Sequence, residues 1–376
     1  MSGEPLGPVL VADAGSSSLH LTVFDDDLGI LAERDISSAP GDDVADLMRR
    51  LLREAPAPVA MGHRVVHGGP ALRSHLLVND RAREALDEAA DLAPLHVPPA
   101  LTVLDAAREF LPGIPHAACL DTVFHTGLPA AAREYAVPVA WREEYGLRRY
   151  GFHGLSYAWA LDRTAELLGR PPEELHVVIA HLGGGCSACA VRDGRSVDTT
   201  MGFTPLEGLV MSHRSGSVDP GALTWLQTRH HLSAEEIDEV LNHEGGLLAL
   251  SGTSDDTRDL VRARGEGDMQ AALALDVFTH HCRRGIAAMA ASLDRLDALV
   301  FTGEIGEDQP EVREEVCARL TSLGLRGGLL SPEGAIVDRP AVVSAERAAV
   351  PVVVVPTGEA RQVDRETRSL LRRCHI

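Results

Sequence analysis

The chain has 376 residues, more than one hydrophobic core usually organises, so we expect two domains. Its apolar content of 45% is ordinary for a soluble globular protein. The formal net charge of −20 argues against nucleic acid and anionic membrane surfaces as the main partners, and any anionic substrate must meet a local positive pocket.

No segment of the sequence predicts membrane insertion or export. There is no run of about 18 apolar residues, and Met1–Pro8 does not have the pattern of a signal peptide, so we expect a cytoplasmic protein. Of the six cysteines, only Cys186 and Cys189 have suggestive spacing. On one strand they would point to opposite faces, which predicts buried thiols rather than a disulfide or a metal site.

Strands and helices alternate in the first part of the chain. A strand–turn–strand unit at Val9–Asp25 comes first, and the proline-rich stretch Ala93–Pro99 is predicted to be irregular. The remaining predicted elements are a strand at Leu28–Ile36, a helix at Asp42–Glu54, a strand at Val59–Gly62, helices at Asp80–Leu92 and Leu101–Leu111, and a strand at Ala117–Val123.

The same alternation continues after a polar connection at Trp141–Ser156. The long loop Thr199–Pro220 has little periodicity, and loops of that length inside a compact domain usually carry function. Together the elements predict an α/β fold with layered sheets. In this second part of the chain, the predicted helices are Tyr157–Leu168, Ala222–Arg229, Ala234–Asn242, Asp255–Arg264, Asp268–Leu293, Gln309–Leu323 and Ala360–Cys374. The predicted strands are the hairpin Val177–Asp193, Leu299–Phe301 and Val350–Val355.

The two hairpins have similar sequences. Laid over each other without a gap, Val9–Asp25 and Val177–Asp193 place Gly15 on Gly183 and Val23 on Val191. This similarity predicts a duplicated domain in which two turns hold opposite ends of a phosphate chain. The alternative is two ordinary β-hairpins, because glycine is common in hairpin turns.

Polar residues gather where the predicted strands end, which is where ligands bind in α/β sheets. Hydroxyls and glycines suit phosphate oxygens, arginines suit a small anion, and scattered carboxylates suit Mg²⁺. No Gly-x-Ser-x-Gly, Walker or strand-linked Gly-x-Gly-x-x-Gly motif is present, which argues against ordinary hydrolases, P-loop enzymes and Rossmann dehydrogenases. The residues concerned are Asp13, Ser16, Ser17, Ser18, Arg64, Asp121, His153, Gly183, Gly184, Gly185, Arg214, Glu304, Glu307 and Glu359.

Nine stretches, in order from about residue 9 to 367, closely resemble the motifs of the acetate kinase family. They are HRVVHGG at 63–69, LAPLH at 92–96, DTVFH at 121–125, RRYGFHG at 148–154, HLGGG at 181–185, SVDTTMGFTPLEGL at 196–209, RSGSVDPG at 214–221, ALVFTGEIGE at 298–307 and VVPTGEA at 354–360. The resemblance implies an α/β fold of duplicated actin-like ATPase (ribonuclease H-like) domains around a central cleft. We expect one domain at 1–150, completed by the helix 360–376, and a nucleotide-binding domain at 151–359.

The resemblance also implies reversible phosphoryl transfer from ATP to acetate or propionate. Arg64 would bind the substrate carboxylate and Asp121 would be the catalytic acid/base, while His153 and Arg214 would stabilise the transferring phosphoryl group. The methyl group would contact Val66, Leu95, Phe152 and Pro205. The residues that would bind the nucleotide are Ser16, Ser18, His20, His181, Leu182, Gly183, Gly184, Gly185, Asp256, Thr257, Arg258, Glu304, Ile305, Gly306, Glu307 and Asp308.

A metal ion and a second subunit follow from the resemblance as well. Mg²⁺, with Mn²⁺ as the alternative, would lie at Asp13 and Glu359, and ATP would be the co-substrate. The expected partners are these small molecules and a second copy of the chain, with no nucleic acid and no membrane.

Several of these residues also have purely structural interpretations. Arg64 fits a surface ion pair, His153 a structural hydrogen bond, and Glu359 the start of the last helix, where a carboxylate is favourable. The serines at 16–18 fit a plain turn, and the spacing of His63 and His67 is too weak to predict a metal site.

The sequence departs from the family pattern mainly on the nucleotide side. Asp13 stands where asparagine is usual and His20 where lysine is usual, and Glu304 replaces a glycine; Gly184, Tyr157, Val97, Asp308, Gly358 and Ala360 also differ. Glu304 places a bulky anion where adenosine would pass. The alternatives to an ATP-dependent enzyme are therefore a member that uses diphosphate or another donor, and a paralog that binds ligand without turnover.

Overall fold

A computed structural model of the chain describes residues 5–15, 18–36, 44–94, 96–330 and 339–375. Contacts divide the chain into two compact units. The first comprises residues 1–126, 152–159 and 358–376, and the second comprises 127–151 and 160–357. Among the described residues, no helix is both long and apolar enough to cross a bilayer.

The first unit is built on a six-stranded mixed sheet with the strand order β3-β2-β1-β4-β6-β5. Its strands are β1 (Val9–Ala14), β2 (Leu19–Phe24), β3 (Ile30–Ile36), β4 (Ala60–Val65), β5 (Leu76–Leu77) and β6 (His116–Leu120). The helices are α1 (Val44–Leu51), α2 (Asp80–Ala90), α3 (Val97–Phe110) and the C-terminal α14 (Glu359–Cys374).

The second unit is built on another six-stranded sheet, ordered β11-β12-β10-β7-β8-β9. Its strands are β7 (His176–Leu182), β8 (Cys186–Arg192), β9 (Arg195–Thr199), β10 (Ala298–Thr302), β11 (Ala341–Val342) and β12 (Val352–Val354). The helices are α4 (Ala130–Arg133), α5 (Val139–Glu144), α6 (Gly154–Leu168, which starts in the first unit), α7 (Pro220–His230), α8 (Ala234–His243), α9 (Gly246–Ser251), α10 (Thr257–Gly265), α11 (Met269–Ala290), α12 (Glu304–Asp308) and α13 (Pro310–Cys317).

The two sheets repeat one topology, as the paired hairpins predict. Each has three antiparallel strands followed by two parallel ones, and a short antiparallel strand at the edge. The gap-free overlay is nevertheless wrong by one residue in the second strand. Ala14 pairs with Leu19 across four turn residues, whereas Leu182 pairs with Cys186 across three.

Other predictions are confirmed or corrected by the secondary structure. Residues 200–219 contain no helix or strand, as expected, and Cys186 and Cys189 are buried free thiols. The prediction of an irregular stretch through Pro99 is wrong, because α3 already begins at Val97. Proline is tolerated in a first helical turn, where its missing N–H has no intrahelical partner to lose.

Strand alternation gives the first sheet two different faces. Leu10, Ala12, Met61 and Val65 belong to one buried cluster, which packs against α1 and α3. Their neighbours along the strands face α14, and a Cβ at Gly62 would lie 2.4 Å from Thr367 Oγ1 of that helix. The absence of a side chain at position 62 therefore lets α14 lie directly on the sheet.

A buried arginine fixes the same helix to the β2–β3 connection. Arg368 is 4% exposed, and its guanidinium pairs with Asp364 and Asp26 and donates to the carbonyl of Asp25. These partners satisfy its charge and its donors, as a buried guanidinium requires. The last helix is thereby part of the first unit, although it is remote in sequence.

Two histidines are buried on the face opposite α14. His63 Nε2 lies 3.1 Å from His116 Nδ1, and His116 Nε2 lies 3.1 Å from the Leu111 carbonyl. Because a carbonyl only accepts, His116 carries its proton on Nε2 and His63 donates from Nε2. Burial, and then the neighbouring His116, lower the pKa of His63 from 6.5 to about 3.

This depressed pKa predicts acid sensitivity. Between pH 6.5 and about 3, the folded chain keeps His63 neutral while the unfolded chain protonates it. The free energy of unfolding should therefore fall as the pH is lowered through this window, by about 1.4 kcal/mol per pH unit for one proton. Urea unfolding at a series of pH values measures the slope.

The variant His63→Gln keeps a donor at the same place and does not titrate. Its unfolding free energy should depend less on pH in this window, even if it is lower overall. His243→Gln removes a histidine whose side chain is 47% exposed and should keep the original slope. An unchanged slope in His63→Gln would assign the acid sensitivity to other groups.

Candidate active site

Four charged side chains meet at one end of the first unit's sheet. Asp13, Arg64 and Asp121 lie at or just after the carboxyl ends of the parallel strands β1, β4 and β6, and Glu359 is the first residue of α14. Side chains two residues apart on a strand lie on the same face of the sheet. The first three residues each follow by two a residue that faces α14, namely Val11, Gly62 and Cys119, so they lie on the face that α14 covers. The period-two pattern therefore brings together residues that are distant in sequence.

Arg64 is the centre of this group, which we name the Arg64 cluster. Its Nη1 lies 3.2 Å from both oxygens of Asp13, and its Nη2 lies 2.9 Å from Asp121 Oδ2 and 3.2 Å from Glu359 Oε1. Its Nε is 3.3 Å from the same Asp121 oxygen. Burial alone would lower the pKa of Arg64, but Asp121, Asp13 and Glu359 outweigh it and hold that pKa well above its usual range.

Asp121 is the most buried carboxylate of the cluster. It is 1% exposed, and its Oδ1 has no hydrogen-bond partner among the described residues. Burial raises the pKa of Asp121, Arg64 opposes the rise, and the charge of Asp13 adds to it. A carboxyl group in such an environment is suited to exchange a proton with a bound ligand.

A glycine brings His153 close to Asp121. The amide of Gly154 donates to the Asp121 carbonyl at 3.0 Å, and a Cβ on Gly154 would lie 2.1 Å from that oxygen. His153, the preceding residue, has a left-handed backbone with φ of 58°. Tyr157, one turn later in α6, is fully buried, and its ring centroid lies 6.5 Å from that of His153.

The predicted methyl-binding residues are distributed between the two units. Phe152 is 1% exposed and meets the His67 ring edge to face at 5.3 Å, and Val66 is partly buried after β4. Pro205 is buried in the second unit, where its carbonyl accepts a hydrogen bond from Arg214. Leu95 lies outside the described residues.

The first hairpin turn is described only in part, because Ser16 and Ser17 lie outside the described residues. Ser18 closes the turn by accepting at its carbonyl from the Gly15 amide at 2.8 Å. His20 is exposed, and its Nδ1 lies 2.7 Å from Asp35 Oδ1 on the neighbouring strand. The structure thus shows His20 in a side-chain hydrogen bond with Asp35.

Asp13 and Glu359 have the donor chemistry for a magnesium ion. Both are partly exposed oxygen donors, and the cluster has two more carboxylates than cations. Mg²⁺ commonly uses one or two carboxylates and retains several waters, so these two residues fit it. No group of three or more His, Cys, Asp or Glu side chains that could hold a metal occurs in the described ranges.

The glycine turn between β7 and β8 lies at the corresponding end of the second sheet. The Gly183 amide donates to the Gly185 carbonyl at 3.2 Å, and the Ser212 amide reaches the Gly184 carbonyl at 3.4 Å. Gly184 is exposed, and a Cβ there would meet nothing within 4 Å. His181 and Leu182 form the buried end of β7 that leads into the turn.

Helix α12 follows β10 at the same end of the second sheet. Gly303 has φ of 83° and ψ of 153°, a conformation that is essentially restricted to glycine, and a Cβ there would lie 2.5 Å from the Leu182 carbonyl. Glu304 is exposed at the first position of α12, and Ile305 and Gly306 are buried behind it. Asp308, the last residue of α12, is partly buried.

Glu307 of α12 has a structural role in this fold. Its Oε1 accepts from the Gly303 amide at 3.0 Å and from the Thr357 amide at 2.8 Å. Burial raises the pKa of Glu307, and the Thr357 amide opposes that rise. The carboxylate thus joins the loops after β10 and β12.

A third loop leads into α10. Asp256 caps that helix by accepting from the Arg258 amide at 2.8 Å, and it also pairs with the Arg258 guanidinium. Asp256 raises the pKa of Arg258, and Glu304 adds to that effect. Thr257 is buried beneath them.

Arg214 differs from Arg64 in having no carboxylate partner among the described residues. Its Nη1 donates to the Pro205 carbonyl at 2.8 Å, and burial lowers its pKa, which the nearby Cys186 opposes only in part. A partly buried guanidinium with one neutral partner has donors and charge left for an anion.

A profile of the Acetokinase family matches residues 44–365 of the chain. The chain belongs to the acetokinase family. The acetate kinase of Carboxydothermus hydrogenoformans is 37% identical to it over 96% of this chain and 99% of its own length. The acetate kinase of Leifsonia xyli subsp. xyli is 43% identical to this chain, over 97% of this chain and 89% of its own length.

Solved acetokinase-family structures share the fold. The crystal structure of Porphyromonas gingivalis acetate kinase matches with a TM-score of 0.88 and 30% identity, covering 97% of this chain and 100% of that one. A propionate kinase from Francisella tularensis matches with a TM-score of 0.88 and 31% identity over the same shares. The fold and family predicted from the motifs are confirmed.

Two contacts that the sequence did not predict hold loops of this acetokinase fold. Arg313 of α13 is 2% exposed, and its Nη1 donates to the carbonyls of Gly306 and Glu307 at 2.8 and 2.7 Å. A Cβ on Gly358 would lie 2.3 Å from the Trp159 ring, so that ring explains why position 358 has no side chain. Neither contact has a signature in the sequence, because each depends on packing between distant segments.

Two glycines of the second unit, Gly303 and Gly184, give a matched test. Gly303→Ala places a Cβ against the Leu182 carbonyl in a backbone region that alanine avoids, and it should lower the free energy of unfolding by about 1–3 kcal/mol. Gly184→Ala adds a Cβ in open space and should change it by less than about 0.5 kcal/mol. Urea unfolding of both variants measures the difference, and equal effects would contradict this account of Gly303.

Proposed function

We propose that this chain catalyses reversible, Mg²⁺-dependent phosphoryl transfer from ATP to acetate, giving acetyl phosphate and ADP. Family membership supports the reaction class. The observation that carries the proposal is the Arg64 cluster, in which a guanidinium lies beside a buried carboxyl group of raised pKa. A guanidinium binds a carboxylate through two parallel hydrogen bonds, which makes a small carboxylic acid the natural ligand.

For the acceptor, we propose that Arg64 binds the acetate carboxylate and that Asp121 orients the acid or takes its proton. The burial and raised pKa of Asp121 support that role. Phe152, Val66, Leu95 and Pro205 would contact the methyl group. Propionate, one methylene longer, is the second acceptor that we propose.

For the donor, we propose that residues of the second unit bind ATP. The exposed glycine turn supports this, because its backbone is accessible to phosphate oxygens. The proposed nucleotide residues are Ser16, Ser18, His20, His181, Leu182, Gly183, Gly184, Gly185, Asp256, Thr257, Arg258, Glu304, Ile305, Gly306 and Asp308, and Glu307 through its backbone, since its carboxylate is already engaged.

In the proposed reaction, an acetate oxygen attacks the γ-phosphorus, and the bond from that phosphorus to the bridging oxygen of ADP breaks. A carboxylate is a weak nucleophile, so positioning and charge neutralisation are the main tasks of the protein. Arg214 and His153 would donate to the equatorial oxygens of the transferring group. Arg214 has no carboxylate partner among the described residues, so its charge is available to the transferring phosphoryl group, which supports this role.

We propose that Asp13 and Glu359 hold Mg²⁺, for which Mn²⁺ could substitute. When bound, the ion would neutralise charge on the phosphate oxygens of the nucleotide. The homodimeric state and the cytoplasmic location that we propose rest on the family resemblance and on sequence composition.

The assay is direct. Purified protein with acetate, Mg²⁺ and ATP should form acetyl phosphate, trapped with hydroxylamine as the hydroxamate. Arg64→Ala and Arg214→Ala should each lower kcat/KM by about 10²-fold or more, because each removes a donor that neutralises substrate charge. Arg319→Ala, at an exposed position in the turn after α13, is the matched control and should retain turnover.

Three outcomes would contradict parts of this proposal. Product with diphosphate but not with ATP would replace the donor. No product with either donor, and none from acetyl phosphate and ADP, would make the chain a ligand-binding paralog. Near-normal turnover in Arg214→Ala would remove its assignment.

Glu304 gives a separate test of nucleotide access. It is exposed at the start of α12, and its charge acts on Arg258. If its bulk obstructs the nucleotide, Glu304→Gly should lower KM for ATP while leaving KM for acetate unchanged. Glu304→Gln keeps the size and removes the charge, so improvement in both variants would assign the effect to charge. No change in either would show that Glu304 does not restrict ATP.

A further inference from the structure

The donors of Arg64 are all directed at carboxylates of its own chain. A guanidinium offers a carboxylate two edges, one formed by Nε and Nη2 and the other by Nη1 and Nη2. Asp121 Oδ2 occupies the first edge, at 3.3 and 2.9 Å. Asp13 and Glu359 share the second, at 3.2 Å each. An incoming carboxylate therefore finds neither edge open.

The charge balance of the cluster opposes acetate as well. Three carboxylates surround one guanidinium within 3.3 Å, so two negative charges are in excess before any substrate enters. A further carboxylate would add a third in a partly desolvated site. Like charges at such distances repel by several kcal/mol unless a cation compensates them.

The carboxylates of the two edges differ in how readily a cation can reach them. The side chains of Asp13 and Glu359 are 18% and 16% exposed, whereas that of Asp121 is 1% exposed. A hydrated divalent ion can therefore reach the first two and not the third. If these two carboxylates turned toward such an ion, the edge of Arg64 formed by Nη1 and Nη2 would become free.

We propose that a divalent cation bound by Asp13 and Glu359 withdraws these carboxylates from Arg64 and so opens its outer edge to the substrate carboxylate. Metal loading then precedes acid binding, and Asp13 is the positioning residue that couples the two. Asp121 keeps its edge of Arg64 throughout. This inference rests on the proposed function, since it takes Arg64 as the acetate-binding residue.

Asp13 has the larger part in this coupling. Both of its oxygens lie 3.2 Å from Nη1, whereas Glu359 Oε1 lies 3.2 Å from Nη2. An asparagine at position 13 would carry no charge, so its amide oxygen would hold Nη1 more weakly and acetate could displace it. Arg64 should then be accessible to acetate without any metal.

The test measures acetate binding directly, without turnover. Calorimetric titrations of the wild type with acetate are made in EDTA and in Mg²⁺, at equal ionic strength set with NaCl and without nucleotide. Mg²⁺ should tighten wild-type binding by about tenfold or more. Asp13→Asn should tighten metal-free binding by about tenfold and bring the ratio of the two affinities close to one. Asp27→Asn, the same charge change at an exposed position, should retain the wild-type ratio.

Binding of the cation itself supplies a second measurement. Titration of the acetate-free protein with Mn²⁺, followed by electron paramagnetic resonance, should show a site that Asp13→Asn weakens by about tenfold or more and Asp27→Asn does not. Glu359→Gln serves in both experiments if Asp13→Asn does not fold.

The outcomes separate this inference from the function on which it rests. Equal acetate affinity with and without Mg²⁺, in a protein that forms acetyl phosphate, overturns the inference and leaves the proposed function standing. Acetate binding in neither condition, with no acetyl phosphate formed, overturns the proposed function itself. Unchanged Mn²⁺ binding in both Asp13→Asn and Glu359→Gln overturns the metal's part in the coupling.

Discussion

The contact of Arg64 with Asp13, Asp121 and Glu359 is the constraint on which the candidate site depends. It joins the ends of three parallel strands to the start of the last helix, so segments separated by more than 200 residues meet at one guanidinium. Desolvation of these charges offsets much of their attraction, so the ion pairs contribute little net stability. Such an arrangement is retained for chemistry more readily than for stability.

The loops of the second unit are held by backbone contacts rather than by one buried charge. Gly303 fits under the Leu182 carbonyl, Glu307 accepts from two amides, and Arg313 donates to two carbonyls of α12. Each contact orders a loop without placing a large side chain at its exposed surface. The second unit thus offers accessible backbone where the first offers concentrated charge.

The sequence predicted what depends on local pattern. The rule that ligands bind where the strands of an α/β sheet end grouped Asp13, Arg64 and Asp121, and the repeated hairpin predicted the repeated sheet. The sequence could not predict that Glu307 uses its carboxylate on the amides of Gly303 and Thr357, because that depends on two loops 50 residues apart. The contacts of Arg313 could not be predicted for the same reason. The irregular stretch predicted through Pro99 was wrong because a helix tolerates proline in its first turn, and the sequence alone did not show that Pro98 lies there.

The unequal turns of the two hairpins have a consequence for how a duplicated domain diverges. Side chains alternate along a strand, so an extra residue inside β2 would turn its buried row toward the opposite face. The additional residue lies in the turn instead, between Ala14 and Leu19, where it changes no pairing. Turn length is therefore a property that each copy can alter without rebuilding its core. Two copies of one ancestral sheet could in this way come to present different backbone shapes to different ligands while their interiors stayed alike.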